Sequence, residues 1–200
     1  LKKNRVKLGD SFFGMEHTGV YSLPLSFFLQ EKDMAFALYN PLEIKRSLGL
    51  QRGKNDKVDA RRIAYYIFLH RHELKTAQLP SVTLGKLKNL LAFRDRLVKN
   101  KVSLQQSLHD LKATNNLIDN DFIIEKTQEQ LKKTKEDIKE VEKQIKQAID
   151  SEQGLKSNFK LACSVPGIAL ITAAYLLVHT HNFTAFDNGR QFNAYCGVAP

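Results

Sequence analysis

The sequence predicts an α/β segment, then a long antiparallel helical hairpin or coiled coil, then a small α-helical end. Three observations carry this. Residues 1–75 alternate short apolar runs with helical ones, the pattern of an α/β layer with a parallel component. Residues 83–150 contain no proline and only one glycine, Gly85, so nothing interrupts long helices there. "SVPGIALITAAYLLV" (164–178) sets a Pro-Gly turn before an apolar stretch rich in small residues. The boundaries predicted from these textures divide the chain into 1–80, 81–155 and 156–200.

In order, "SFFGMEHTG" (11–19) predicts a strand ending near Glu16, because a brief aromatic run meets a Gly-bounded turn. "YSLPLSFFLQEKD" (21–33) suits a helix with Pro24 in its first turn. "MAFALY" (34–39) predicts a buried strand closed by Asn40-Pro41. Asp56 to His72 form one helix, with Val58, Ile63, Tyr66, Ile67 and Leu69 on its inner side. Leu84, Leu87, Leu91, Val98 and Val102 stripe the first long helix. In the second, Leu131, Ile138 and Ile145 recur every seven residues, with Thr134, Val141 and Ala148 between them. "NNLIDND" (115–121) separates the two, and a spacer or dimerisation arm is the plainest role for the pair. The 164–178 stretch has the form of a helix-hairpin-helix, and Asp187 or Asn188 can cap a short final helix.

Composition points to a polyanionic partner. The chain of 200 residues carries 31 basic and 21 acidic side chains, a net charge of +10. The bias is strongest in residues 1–82, where 14 basic residues face 8 acidic ones. Seven lie between residues 45 and 62: Lys45, Arg46, Arg52, Lys54, Lys57, Arg61 and Arg62. Two cysteines, Cys163 and Cys196, form neither a disulfide framework nor a zinc spacing, and are expected as reduced, buried thiols. The longest apolar run, Ile168 to Val178, is too short to span a bilayer. A cytoplasmic protein with no membrane partner is the expectation.

Inside that basic run sit two acids, Asp56 and Asp59. On a helix, this spacing brings their Cβ atoms to roughly 5–6 Å. Two anions repel by about 4 kcal/mol at 4 Å if the effective dielectric is near 20. Lys and Arg, solvent or a divalent ion must offset that. With Glu16 at a strand end, the acids have the composition of a magnesium-dependent phosphoryl-transfer site. An Asp-rich helix held in a salt-bridge network remains open at this point.

At these residues the chain resembles a known family. "GMEHTGVY" (14–21), "YNPLEIKRSLGLQRGKNDKVDARRIA" (39–64) and "SVPGIALITAAYLLV…FDNGRQFNAYCGVAP" (164–200) are similar to insertion-sequence transposases that pair a RuvC-like DEDD domain with a C-terminal serine-bearing domain. Those enzymes are understood as recombinases guided by a bridge RNA. The resemblance implies an incomplete RuvC/RNase H-like fold at the N-terminus, lacking its first strand. It implies that Glu16, Asp56 and Asp59 are catalytic and hold Mg²⁺, with the seven basic residues binding nucleic acid. DNA, a guide RNA and a second copy joined through the coiled coil are the implied partners. Asn55 stands where the family usually has Thr. No residue matches the family's first aspartate, since Asp10 is too close to Glu16. The nucleophilic serine would follow "GVAP" (197–200), and neither Ser151 nor Ser164 is in that position. The chain therefore reads as a fragment, inactive by itself in strand exchange.

Two rival functions stand beside this one, a RuvC-type junction nuclease and a non-catalytic nucleic-acid scaffold. The pairs His70/His72 and His179/His181 lack a third metal ligand. His17 is expected to orient the turn after Glu16. Tyr21, Tyr39 and most phenylalanines are expected in the core, and Tyr65 and Tyr66 as core and flank.

Overall fold

The computed structural model describes residues 11–48, 55–77 and 79–198. The chain divides into two compact units, Leu1–Leu79 and Pro80–Pro200.

The first unit is built on a strand–helix–strand repeat. Strand β1 (Phe13–Glu16) leads through a short 3₁₀ turn (Gly19–Tyr21) into α1 (Leu23–Glu31), and β2 (Phe36–Tyr39) returns beside β1. The two strands are parallel, with Phe13 opposite Phe36 and Glu16 opposite Tyr39. A parallel pair needs such a crossover, because a tight hairpin can join only antiparallel strands. Pro24 sits in the first turn of α1, where its missing N–H costs nothing. Asn40 then turns the chain, its Oδ1 accepting from Leu42 N at 2.9 Å. Helices α2 (Pro41–Leu48) and α3 (Asp56–Leu69) follow and pack on each other, and α3 also packs on β1. The α3–β1 approach is close: a Cβ at Gly14 would collide with the Ile67 side chain. Among the described residues, Leu29, Phe36, Ala37 and Ile44 are the buried apolar side chains of this unit. Tyr21 lies outside that core at 86 % exposure, as do Phe27 and Phe28. The aromatic residues around α1 were expected inside, but the described strands offer too little surface to cover every side of the helix.

The second unit is wholly helical among its described residues. Helices α4 (Val82–Thr114) and α5 (Asp121–Asp150) form the hairpin, followed by α6 (Gln153–Cys163), α7 (Leu170–His179) and α8 (Gly189–Tyr195). Ser81 caps α4, its Oγ accepting from Leu84 N at 3.2 Å. Polar side chains fasten the hairpin tip: Asn115 Oδ1 accepts from Asn120 N at 2.8 Å, and Asn115 Nδ2 donates to Asp121 Oδ1 at 2.8 Å.

The core lies at the end of the hairpin away from that tip, where α4, α5, α6 and α7 converge on Leu87, Leu91, Ile145, Ile149, Leu155 and Leu177. The α4 stripe follows the expected Leu84, Leu87 and Leu91 and then uses Leu97, leaving Val102 at 57 % exposure. Val102 follows Leu84 by five full turns and keeps its angular position, but the buried cluster ends on α4 at Leu97, so the side of the helix is right and the core stops short of it. Of the heptad positions in α5, Leu131, Val141, Ile145 and Ala148 are buried within this single chain.

Two polar links cross the helices. Arg94 Nε donates to Glu142 Oε1 at 2.7 Å, and the Tyr175 hydroxyl donates to Asp95. Burial and then that Asp95 bond push the Tyr175 hydroxyl up to about 12. After α6, the Pro166-Gly167 turn places Gly167 at φ +88, a conformation open to glycine. After α7, His181, Asn182 and Phe183 take φ values of 47, 60 and 64 in succession. Asn158 Nδ2, reaching over from α6, donates to Asn182 O at 3.3 Å and to its Oδ1 at 3.0 Å. Asn188 caps α8, accepting from Gln191 N at 3.0 Å. Cys163 is half-buried and Cys196 exposed, so the expected burial of both thiols does not hold. No helix of the described residues is long and apolar enough to cross a membrane.

Candidate functional site

The site is assembled on β1 and α3. Asn55 caps α3, its Oδ1 accepting from Lys57 N at 2.9 Å, so the residue in place of the family's Thr still ends the preceding loop. Asp56 and Asp59 occupy the first turn, where the positive end of the helix dipole favours carboxylates. Successive residues advance by 100° around a helix, which puts both acids on the same side as Ile63 and Ile67. Ile67 is the residue that meets Gly14 of β1. Glu16 is half-buried at the last position of that strand.

Each acid has its own environment. Asp59 is half-buried and accepts from Arg62 Nη1 at 2.9 Å. Asp56 is exposed, and neither it nor Glu16 has a side-chain partner among the described residues. His17 N donates to Tyr39 O at 2.9 Å, continuing the sheet past Glu16. The Tyr39 ring meets Tyr66 of α3 edge-on, with centroids 5.2 Å apart. Burial raises both tyrosines, helped for Tyr39 by Tyr66 and for Tyr66 by Glu43 and Glu73. Both hydroxyls are therefore neutral at physiological pH.

As hard oxygen donors, the three acids fit a divalent ion. Among the described residues, however, no group of three or more His, Cys, Asp or Glu side chains stands close enough to hold one. The Arg62 guanidinium supplies Asp59 with the positive charge that the Asp56–Asp59 spacing demands.

The basic run separates by position. Lys45 and Arg46 are exposed in the last turn of α2. Lys57 and Arg61 are exposed on the outer side of α3, whereas Arg62 turns inward to Asp59. Arg52 and Lys54 lie outside the described residues. Sequence reasoning missed Arg71, whose guanidinium lies over the Phe68 ring at 4.6 Å, and it placed Tyr65 with the core and flank. Tyr65 is in fact 56 % exposed. A helical wheel finds it, because Arg61, Tyr65 and Phe68 fall on one side at spacings of four and three. Ser151 and Ser164 both end helices, with Oγ donating to Ala148 O at 2.8 Å and to Leu161 O at 2.7 Å.

A family model described as a DEDD transposase of the IS110 type matches residues 1–112. The chain belongs to that family of transposases. A second model, described as a transposase of the IS116/IS110/IS902 family, matches residues 160–200, so the first match takes in nearly all of α4, and α5 lies between the two. A comparison with curated proteins finds no match. The IS110-family domains support a DNA transposase function, with an enzymatic recombinase in the full protein, and imply DNA binding. The DEDD domain also implies an RNase H-like fold, of which the parallel β1–β2 pair is the described sheet. Transposases of this kind typically use a divalent metal.

Proposed function

We propose that this chain supplies the acidic and nucleic-acid-binding part of an RNA-guided DNA recombinase, in which Glu16, Asp56 and Asp59 hold Mg²⁺. The observation that carries the reading is the placement of Asp56 and Asp59 on the side of α3 that packs against β1, the strand that ends in Glu16. A bound divalent ion would supply Lewis-acid polarisation of phosphodiester oxygens. The chain's own residues orient the strand. Lys45, Arg46, Arg52, Lys54, Lys57 and Arg61 attract backbone phosphates, and Arg62 holds Asp59 in place by a short charge-assisted bond. The nucleophile in the complete recombinase is a serine other than Ser151 and Ser164. Guide RNA and DNA share the basic surface. The 1–80, 81–155 and 156–200 divisions correspond to RuvC-like, coiled-coil and C-terminal transposase parts. A second copy joins through the hairpin tip, where Leu117, Ile118 and Phe122 are exposed, because the chain's own helices cover much of the α5 seam. Concentration-independent sedimentation as a monomer would remove that contact.

Calorimetric titration with Mg²⁺ tests the acidic site. The expected result is a binding isotherm that disappears in the Glu16→Gln/Asp59→Asn double variant. An isotherm unchanged by the two substitutions, or no heat from the unaltered chain, removes the metal reading and leaves the scaffold. Among the described residues no group of three acids stands close enough to hold an ion, the observation on the side of the scaffold.

A further inference from the structure

The outer side of α3 carries, beside its cations, two aromatic side chains that the acidic site does not use. On a helical wheel Lys57, Arg61, Tyr65 and Phe68 share one side, opposite Asp59, Ile63 and Ile67. All four are exposed, Tyr65 at 56 % and Phe68 at 59 %. Arg71 extends the row: its guanidinium covers the Phe68 ring at 4.6 Å, and its Nη1 donates to Phe68 O at 2.9 Å. No acid lies among these positions, since Asp56 and Asp59 both fall on the sheet side. Neither Lys57 nor Arg61 has a side-chain ion pair among the described residues, while Arg62 is bound to Asp59. The single basic run of the sequence is thus two surfaces, one neutralised internally and one open.

Cations alone suit any polyanion. The two exposed rings interleaved with them narrow the choice. A duplex hides its base faces within the stack, so it can meet Lys57 and Arg61 but offers nothing flat to Tyr65 or Phe68. Unpaired bases stack on aromatic rings and on guanidinium planes, whatever their sequence, while the backbone follows the positive charges. An acidic protein surface would satisfy the cations and leave both rings against polar groups.

We propose that the outer face of α3 is a platform for single-stranded nucleic acid, with bases stacked on Tyr65 and on the Phe68–Arg71 pair and phosphates held by Lys57 and Arg61. The proposal rests on the basic-surface reading above and adds which strand that surface takes. Arg71 is already fixed across Phe68 by its own backbone bond, so that part of the platform loses little freedom on binding.

The experiment uses the full chain and fluorescence anisotropy with a dye-labelled oligothymidine of about 20 nucleotides, beside a duplex of equal length, over a series of salt concentrations. Tyr65→Ala and Phe68→Ala should each weaken single-strand binding about tenfold, leaving duplex binding within about twofold and the salt slope unchanged. Tyr65→Phe should retain single-strand affinity, since it keeps the ring. Lys57→Ala/Arg61→Ala should flatten the salt slope for both ligands. Unchanged single-strand affinity in the ring variants overturns the platform, and so does an equal loss for the duplex. If the ring variants alter only the sedimentation coefficient, the face is a protein contact and the proposal fails. An unchanged slope in the charge variant, whatever the rings do, overturns the underlying basic-surface reading instead.

Discussion

In Pro80–Pro200 the apolar side chains of α4, α5, α6 and α7 meet in one continuous core, with Leu87, Ile145, Ile149, Leu155 and Leu177 fully enclosed. In Leu1–Leu79 the described strands are two, and α1 leaves Leu25, Phe27 and Phe28 about half exposed. The helical unit is stabilised by its own packing. A two-stranded sheet is marginal alone, so the α/β unit relies on a few close contacts such as Ile67 on Gly14. The difference also sorts polar groups. In the helical unit charges link one helix to another, as Arg94 does with Glu142. Among the described residues of the α/β unit, Glu16, Asp56, Lys57 and Arg61 have no side-chain ion pair.

The largest test of that contrast is Leu87→Ala. It opens a cavity in the enclosed core and should cost about 2–5 kcal/mol, measured as a lower midpoint for loss of helical circular dichroism in denaturant. Gly14→Ala should cost less, about 1–3 kcal/mol, because Ile67 must shift to admit a methyl. Tyrosine fluorescence should show the loss at Tyr39 and Tyr66 in the first unit, with the midpoint of the helical unit unmoved. A Gly14→Ala protein whose two units melt together at a lower midpoint would break the comparison.

The smallest expected effect is alkaline. The folded Tyr175 hydroxyl titrates at about 12, above the ordinary value of 10.0. Its contribution to stability is therefore complete below pH 10 and lost as pH rises from there through about 12. Tyr175→Phe should remove that increment of alkaline sensitivity. At neutral pH it should cost about 1 kcal/mol, because Asp95 loses its donor. A pH profile identical in the two proteins would show that the bond contributes nothing.

Much of the secondary structure was legible because it depends on local signals. An aromatic run at a Gly-bounded turn predicted β1, an apolar run closed by Asn40-Pro41 predicted β2, proline placed α1, and the polar stretch at 115–121 predicted the break between α4 and α5. What failed depended on neighbours. Tyr21 and Tyr65 look like core residues in one dimension, yet whether a ring is covered is decided by an element far away in sequence. The α5 stripe suggested a seam open to a second chain, but α4, α6 and α7 cover much of it, an arrangement invisible to a heptad count. At the acidic site, residue types and their helical side were legible. The Asp59–Arg62 bond has the i, i+3 spacing of a helical ion pair, but the spacing does not say which of the neighbouring Lys and Arg residues forms it.

The turn after α7 bears on the order in which the helical unit assembles. Three successive side-chain-bearing residues in left-handed geometry cost about 1–2 kcal/mol each for ordinary residues, and somewhat less for Asn182. Local bonds offset part of this, from Thr180 and from Asn182 N to Leu177 O at 2.7 Å, and Asn158, 24 residues earlier on α6, adds a hold from outside the turn. Until α6 and α7 are side by side, that reach is impossible and the chain has every reason to relax. The turn thus reports on docking: Asn158→Ala, which removes the contact from α6, should speed hydrogen exchange at the Asn182 amide, bonded to Leu177 O at 2.7 Å.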